Sequence, residues 1–501
     1  MITIYLNKTY QTEVAQIIDS VPRLSELITI TTEDALVADL IVDERGIIMP
    51  LNWDNNAPPF LMNSPVAFSS ETLLGYIFIA LGNYAEAQRY FAQYPQLYNE
   101  VVSLGCLQTN QRLPVEVADT LDKEDYRSEH NRALLQQYGL WPSLVALADV
   151  QQMYQKALAS SPDNEHYAFT LKQYATLLLD TDTDQGVEAE KLLQQYLSQD
   201  LSEEASYALK SVLISTWMAR LSVPYDPKHI DDLKDLLWDT LTYLERQERL
   251  AEVGLLLIDA SEVANISESY SESLGYVNRA LDIFRAQDLP ELAGSSLLRK
   301  GALLYTWAQN GNPQFYKPAI DTYQEALKVF KRDEAPETFA QIHAHLGVLY
   351  AEMSDLQQKK GIWAAVSATS FQEALRFFTK EAHPYEYGLV CNNYANALTK
   401  YPTALRIDNY EKALDFYKEA LTVRTSAYPY ERAITLLNYL EASWFLDNGE
   451  DDFNQVRYQD MLNKAQEVKS LVDAPDLLAE AERHLKELFR LEQEAKSEGY
   501  A

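Results

Sequence analysis

Cysteine is scarce in this chain: Cys106 and Cys391 are the only two among 501 residues, and they form no CxxC. A disulfide framework is therefore excluded, and a reducing compartment is expected. Glycine (16) and proline (19) are also few, which argues against disorder and against a turn-rich all-β fold. Basic residues are outnumbered 42 to 74, giving a net charge of −32. Nucleic acids and anionic membranes both attract basic surface, so neither is expected as a partner, whereas a basic partner fits. The longest apolar run, Leu73 to Leu81, is far short of the ~20 residues a membrane helix needs. Residues 1–20 lack the charged start and apolar core of a signal peptide. A cytoplasmic protein is the expectation. Catalytic signatures are missing too: there is no G-x-G-x-x-G, no G-x-x-x-x-G-K-[ST] and no G-x-S-x-G. His343 and His345 are two apart, so they cannot share a helix face as an H-E-x-x-H pair does. Cys391 and His383 give no readable nucleophile–base geometry. No cofactor and no enzymatic activity are expected.

What the chain does have is a period. Pro290, Pro336, Pro384, Pro429 and Pro475 are spaced 46, 48, 45 and 46 residues apart. Ala280, Ala326, Ala374, Ala420 and Ala465 keep time with them at 46, 48, 46 and 45. Such a double ladder signals a stacked repeat array. Each proline opens a helix-compatible run with an acid behind it, as in Pro336-Glu337, Pro384-Tyr385-Glu386 and Pro429-Tyr430-Glu431. Proline suits the first helical position, and the acid suits the positive end of the helix dipole. Along this helix A, Gly301, Gly347, Ala395 and Glu441 occupy equivalent places, and the small ones mark close helix approach. Helix B reads Ala319-x3-Tyr323-x2-Ala326, Ser367-x3-Phe371-x2-Ala374 and Ala413-x3-Tyr417-x2-Ala420, one face of an α-helix. The 33 tyrosines suit aromatic knobs between such helices.

Leu346-Gly347-x2-Tyr350 and Ala413-x3-Tyr417 resemble the tetratricopeptide repeat (TPR), whose pattern is L-G-x2-Y, then A-x3-F, then proline. Leu74, Gly75, Phe78, Gly82, Tyr84, Ala87 and Phe91 give an outlying copy, and Ala157 with Pro162 the end of another. The departure is length, since the usual unit is about 34 residues; Leu356 to Val366 and Tyr401 to Asp408 are the expected places for the excess. The run Asn392 to Leu398 followed by Ala420 to Thr425 resembles the long bacterial arrays sometimes attached to caspase-like CHAT proteases, and no such protease is evident here. The resemblance implies a mainly α fold: a right-handed α-solenoid of about nine antiparallel helix pairs with a small N-terminal α+β module.

Residues 1–62 carry that module. Ile2 to Leu6, Leu27 to Thr31, Ala38 to Val42 and Gly46 to Met49 read as strands, and Thr12 to Val21 as a helix. It reads as a cap or docking module rather than a nucleotide-binding remnant. Asn52 to Pro65 reads as its linker. Residues 63–279 are then irregular helical repeats, and 280–501 regular ~46-residue repeats closed by a capping helix from Pro475.

Two candidate sites stand out. Asp180, Asp182 and Asp184 alternate as in a calcium loop, but Gln185 and Lys191 stand where glycine and glutamate belong, so ordinary turn chemistry is the stronger reading. The resemblance implies that the A helices line a groove that binds a protein or peptide segment. Asn393 and Asn396, with Asn392 beside them, would hydrogen-bond its backbone, and Arg299, His345 and Tyr439 extend the stripe. An amide suits this because it both donates and accepts. The expected function is a non-enzymatic interaction scaffold or adaptor. A regulatory subunit or ligand sensor for a separately encoded enzyme such as a CHAT-type protease is the alternative, and an N-terminal nucleotide-binding or remnant catalytic module a weaker one.

Overall fold

The computed structural model describes residues 1–33, 38–54, 57–121, 123–181, 186–222, 225–353, 357–402, 409–446 and 453–498, the side chains of 357–359 and 498 excepted. Its contacts divide the chain into two compact units, Met1–Tyr243 and Leu244–Ala501.

The first unit opens with β1 (Ile2–Leu6), α1 (Gln11–Asp19), β2 (Ile28–Thr31), β3 (Leu40–Asp43) and β4 (Gly46–Ile48). The sheet order is β2-β1-β3-β4. β1 runs parallel to β2 and β3, and β3 pairs antiparallel with β4. Alternation decides which face is covered: Ile2, Ile4 and Leu6 are buried, as are Leu40 and Val42. Val14, Ile17 and Ile18 of α1 join the same core, which continues into the first helical pairs through Leu73, Ile77 and Leu135.

The helices then follow in pairs: α2 (Ser70–Ala80) with α3 (Tyr84–Tyr90), α4 (Pro95–Thr109) with α5 (Val115–Leu121), α6 (Tyr126–Gln137) with α7 (Leu147–Ala159), α8 (Asn164–Thr181) with α9 (Gly186–Tyr196), and α10 (Glu203–Ala219) with α11 (Pro227–Arg246). The second unit continues with α12 (Leu250–Ile266) and α13 (Tyr270–Ala286), α14 (Pro290–Gln309) and α15 (Tyr316–Ala326), α16 (Pro336–Glu352) and α17 (Gln357–Phe377), α18 (Pro384–Lys400) and α19 (Asn409–Val423), and α20 (Pro429–Ser443) and α21 (Gln455–Leu471), before α22 (Pro475–Glu498). Among the described residues this makes ten pairs, one more than the sequence suggested. The added pair is α4 with α5. Asp125 opens α6 as a separate helix by accepting the Ser128 N–H at 2.9 Å.

The two ladders explain the regularity of the second unit. All five prolines are the first residues of their helices. The residues before four of them, Leu289, Ala335, His383 and Tyr428, are held at ψ 61–73°, since proline disfavours the helical region for its predecessor. All five alanines are fully buried. Between the ladders lies the close contact that sets the helix spacing. A Cβ on Gly347 would stand 2.9 Å from the Phe371 ring, and one on Gly301 2.7 Å from Tyr323. Ala395 likewise shares a core with Tyr417. Counted from its opening proline, this position in α20 is the buried Leu440, and the expected Glu441 is exposed beside it. Part of the extra repeat length lies in the helices themselves: α14 has 20 residues and α17 has 21. Residues 403–408 and 356 lie outside the described residues.

Of the stretch expected to be a linker, Asn52 to Pro65, the described residues 52–54 and 57–65 are built into the first unit. Trp53, Phe60, Leu61 and Met62 are buried. The Trp53 ring meets Phe169 of α8 edge-on at 5.2 Å.

Candidate functional site

The first helix of each pair in the second unit presents a repeating face. Nine residues after the opening residues Leu250, Pro290, Pro336, Pro384 and Pro429 stand Asp259, Arg299, His345, Asn393 and Asn438. Every one is polar, and every one is partly or fully open to solvent. One turn earlier, on the same face, stand Leu255, Ser295, Gln341, Leu389 and Ile434, of which Leu255 and Leu389 are among the exposed large apolar residues. Tyr385 and Tyr430, at the starts of α18 and α20, are exposed as well. α12 meets α14, and α16, α18, α20 and α22 meet in succession. Tyr323 of α15 links α14 to α16, lying against Gly301 and stacking on His345, and the result is a row of polar side chains flanked by apolar ones along these helices.

The amides sit as follows. Asn392 is buried; it donates to the Asn393 carboxamide at 3.5 Å and accepts from Asn438 at 3.3 Å. These contacts are long, near the limit of a useful hydrogen bond. Asn396 accepts a hydrogen bond from the buried Tyr417 hydroxyl. Tyr439, by contrast, is turned into the pair: it is buried and donates to Asp460 at 2.8 Å, with Lys464 over its ring. Its place in the row is taken by Asn438. The Pro384–Pro429 interval is 45 residues, so counting from the proline rather than carrying a constant step would have found Asn438 in the sequence.

The other end of the row is charged. Arg299 pairs with Glu262 of α12 through Nη1, while its Nε and Nη2 are buried with no hydrogen-bond partner. Burial lowers the Arg299 pKa, which the Glu262 carboxylate partly offsets. Asp259 lies one turn before Glu262. Burial, then repulsion from Glu262, lifts its carboxyl to about 7 against the opposing pull of Arg299. His345 stacks on the Tyr323 ring at 5.2 Å and 10°, and partial burial of the ring lowers its pKa.

Asp180 is exposed at the end of α8, and Asp182 and Asp184 lie outside the described residues. Among the described residues no three His, Cys, Asp or Glu side chains are grouped to hold a metal ion, and no helix is long and apolar enough to cross a membrane. Cys391 is fully buried, and burial pushes its thiol up to about 12, against thiolate chemistry.

This packing defines a class: a mainly α, TPR-like α-solenoid of antiparallel helix pairs with a small N-terminal α+β module. No protein-family profile and no curated protein matches the chain. Solved structures do. A signal-transduction ATPase with numerous domains (STAND) and a tetratricopeptide-repeat sensor, from Pyrococcus horikoshii, is 17% identical with a TM-score of 0.45; the match covers 83% of this chain and 54% of that one. The chain thus spans about half the length of that protein. The human IFIT1 dimer with PPP-AAAA is 12% identical over 84% of this chain and 90% of that one, with a TM-score of 0.39. The Cut9–Hcn1 structure of the APC/C is 13% identical over 83% and 75%, with a TM-score of 0.27.

Proposed function

We propose that the chain is a non-enzymatic interaction scaffold that holds a protein or peptide segment on the helix face of its second unit. The single observation that carries this is the row Arg299, His345, Asn393 and Asn438. Nothing in repeat packing requires a polar residue at each of these places, since the same helices fill their inward positions with Gly, Ala, Leu and Tyr. The Asn393 and Asn438 amides can both donate and accept, and Arg299 donates, so the row can recognise a main chain without regard to its side chains. The flanking Leu389, Tyr385 and Tyr430 supply the apolar contact that gives such a site affinity. The net charge of −32 favours encounter with a basic partner.

The test is affinity capture from native cell extract, with mass spectrometry, comparing the wild type with an Asn393→Ala, Asn396→Ala double variant whose helical content is checked by circular dichroism. A specific protein captured by the wild type and lost with the folded variant is the expected result. Equal capture by both removes these amides from the site.

A further inference from the structure

The first unit carries an occupant of its own. Trp53 and the described residues 57–63 touch the first helices of four successive pairs in reverse order. Trp53 packs on Phe169 of α8. His130 of α6 bonds the Pro59 carbonyl at 2.9 Å. Asn131 of α6 accepts the Leu61 N–H and donates to the Leu61 carbonyl, both at 2.8 Å. Glu100 of α4 accepts the Asn63 N–H at 2.9 Å, and the Tyr76 hydroxyl of α2 donates to the Asn63 carbonyl. All five of these hydrogen bonds go to the strap's main chain, and the strap's Phe60, Leu61 and Met62 are buried.

The register ties this strap to the second unit. Asn131 stands two residues before Ala133, which shares a core with Tyr154 of α7. Asn393 stands two residues before Ala395, which shares a core with Tyr417 of α19. Asn438 stands two before Leu440. Asn131 therefore occupies in its pair the place that Asn393 and Asn438 occupy in theirs. In the first unit this amide grips both polar groups of one strap residue. In the second, among the described residues, it makes only the long amide–amide contacts of 3.3 and 3.5 Å.

We propose that residues 57–65 are an internal copy of the ligand: the second unit binds an extended peptide strand rich in bulky apolar residues, gripped by Asn393 and Asn438 as Leu61 is gripped by Asn131. This rests on the scaffold reading and narrows it. An extended chain advances ~3.3–3.6 Å per residue, and packed helices lie 8–10 Å apart, so about three ligand residues separate one amide grip from the next. The ligand runs as the strap does, with its C-terminal end toward the earlier helices.

The probe is a fluorescein-labelled peptide of residues 57–66, APPFLMNSPV, titrated by anisotropy against the full chain. Saturable one-to-one binding is expected. An Asn393→Ala, Asn438→Ala variant, shown folded by circular dichroism, should bind at least tenfold more weakly. So should a peptide with N-methylleucine at the place of Leu61, because the gripped N–H is gone; one such bond is worth about a factor of ten. No saturable binding by the wild type overturns the proposal. So does equal binding by the double variant, which would place the peptide elsewhere, or equal binding of the methylated peptide, which would remove the main-chain grip. If the peptide fails while native capture still depends on Asn393 and Asn396, the scaffold reading stands and only the extended-strand ligand falls.

Discussion

The Asn131 carboxamide accepts the N–H of Leu61 and donates to the carbonyl of the same residue, both at 2.8 Å, across 70 residues of sequence. Asn131 is 2% exposed and Leu61 8%, so water cannot replace either bond without opening the core. Asn131→Ala leaves a buried N–H and a buried carbonyl unpaired at ~1–3 kcal/mol each, a loss of about 2–6 kcal/mol. Asn99→Ala, which removes an exposed 3.1 Å bond to Thr120, should cost under about 0.5 kcal/mol. Urea unfolding of both variants beside the wild type checks this. Similar midpoints for Asn131→Ala and wild type would show that the strap is held by its apolar residues alone.

Two helical glycines should answer an added methyl with opposite signs. Gly275 lies within α13, and a Cβ there meets nothing within 4 Å. Gly275→Ala should stabilise by about 0.5–1 kcal/mol through helix propensity. The same change at Gly347 places the Cβ 2.9 Å from three atoms of the Phe371 ring, which is fully buried and stacks on Tyr394 at 4.9 Å. That ring cannot retreat freely, so overpacking should cost about 1–3 kcal/mol and outweigh the propensity gain. Thermal melts of the two variants give the comparison. A stabilised Gly347→Ala would mean that the two helices can part without loss.

The repeat was legible because each of its signals is local. Proline at a helix start, alanine on an inner face and an aromatic three residues before it act within one pair, so their spacing survives in the sequence. The strap was not legible for the same reason. Pro58-Pro59 and Asn63-Ser64-Pro65 have the composition of a linker, and only contacts 37 to 71 residues away, to Glu100, Asn131 and His130, make the segment structural. Pro95, the first residue of α4, carried the same signal as the later prolines but fell outside their period. At the candidate face, Asn393 was recognisable from its neighbours, while Asn438 was hidden by one residue of drift in the period. Asp259 and Glu262 were invisible, because their significance comes from Arg299 on the next pair.

That charged end gives a pH dependence with a definite sign. Burial, and then the Glu262 carboxylate beside it, lift the Asp259 carboxyl to about 7, while Arg299 is already paired with Glu262. The unfolded chain holds the same proton only up to about 3.9. The folded state therefore binds it more tightly. Its stabilising effect is complete below about pH 4 and is lost as pH rises through about 7, after which it is level. Asp259→Asn removes the titration while keeping the shape. Its stability relative to wild type should grow between pH 4.5 and 8, by about 1–2 kcal/mol once partial solvent access is discounted. Urea midpoints at the two pH values measure the gap. A gap that is constant, or wider at pH 4.5, would show that Arg299 turns its unpaired Nε and Nη2 to Asp259 and compensates it fully. A cation docked at this end would have the opposite effect on the wild type, drawing the Asp259 pKa down and restoring the stability lost at neutral pH.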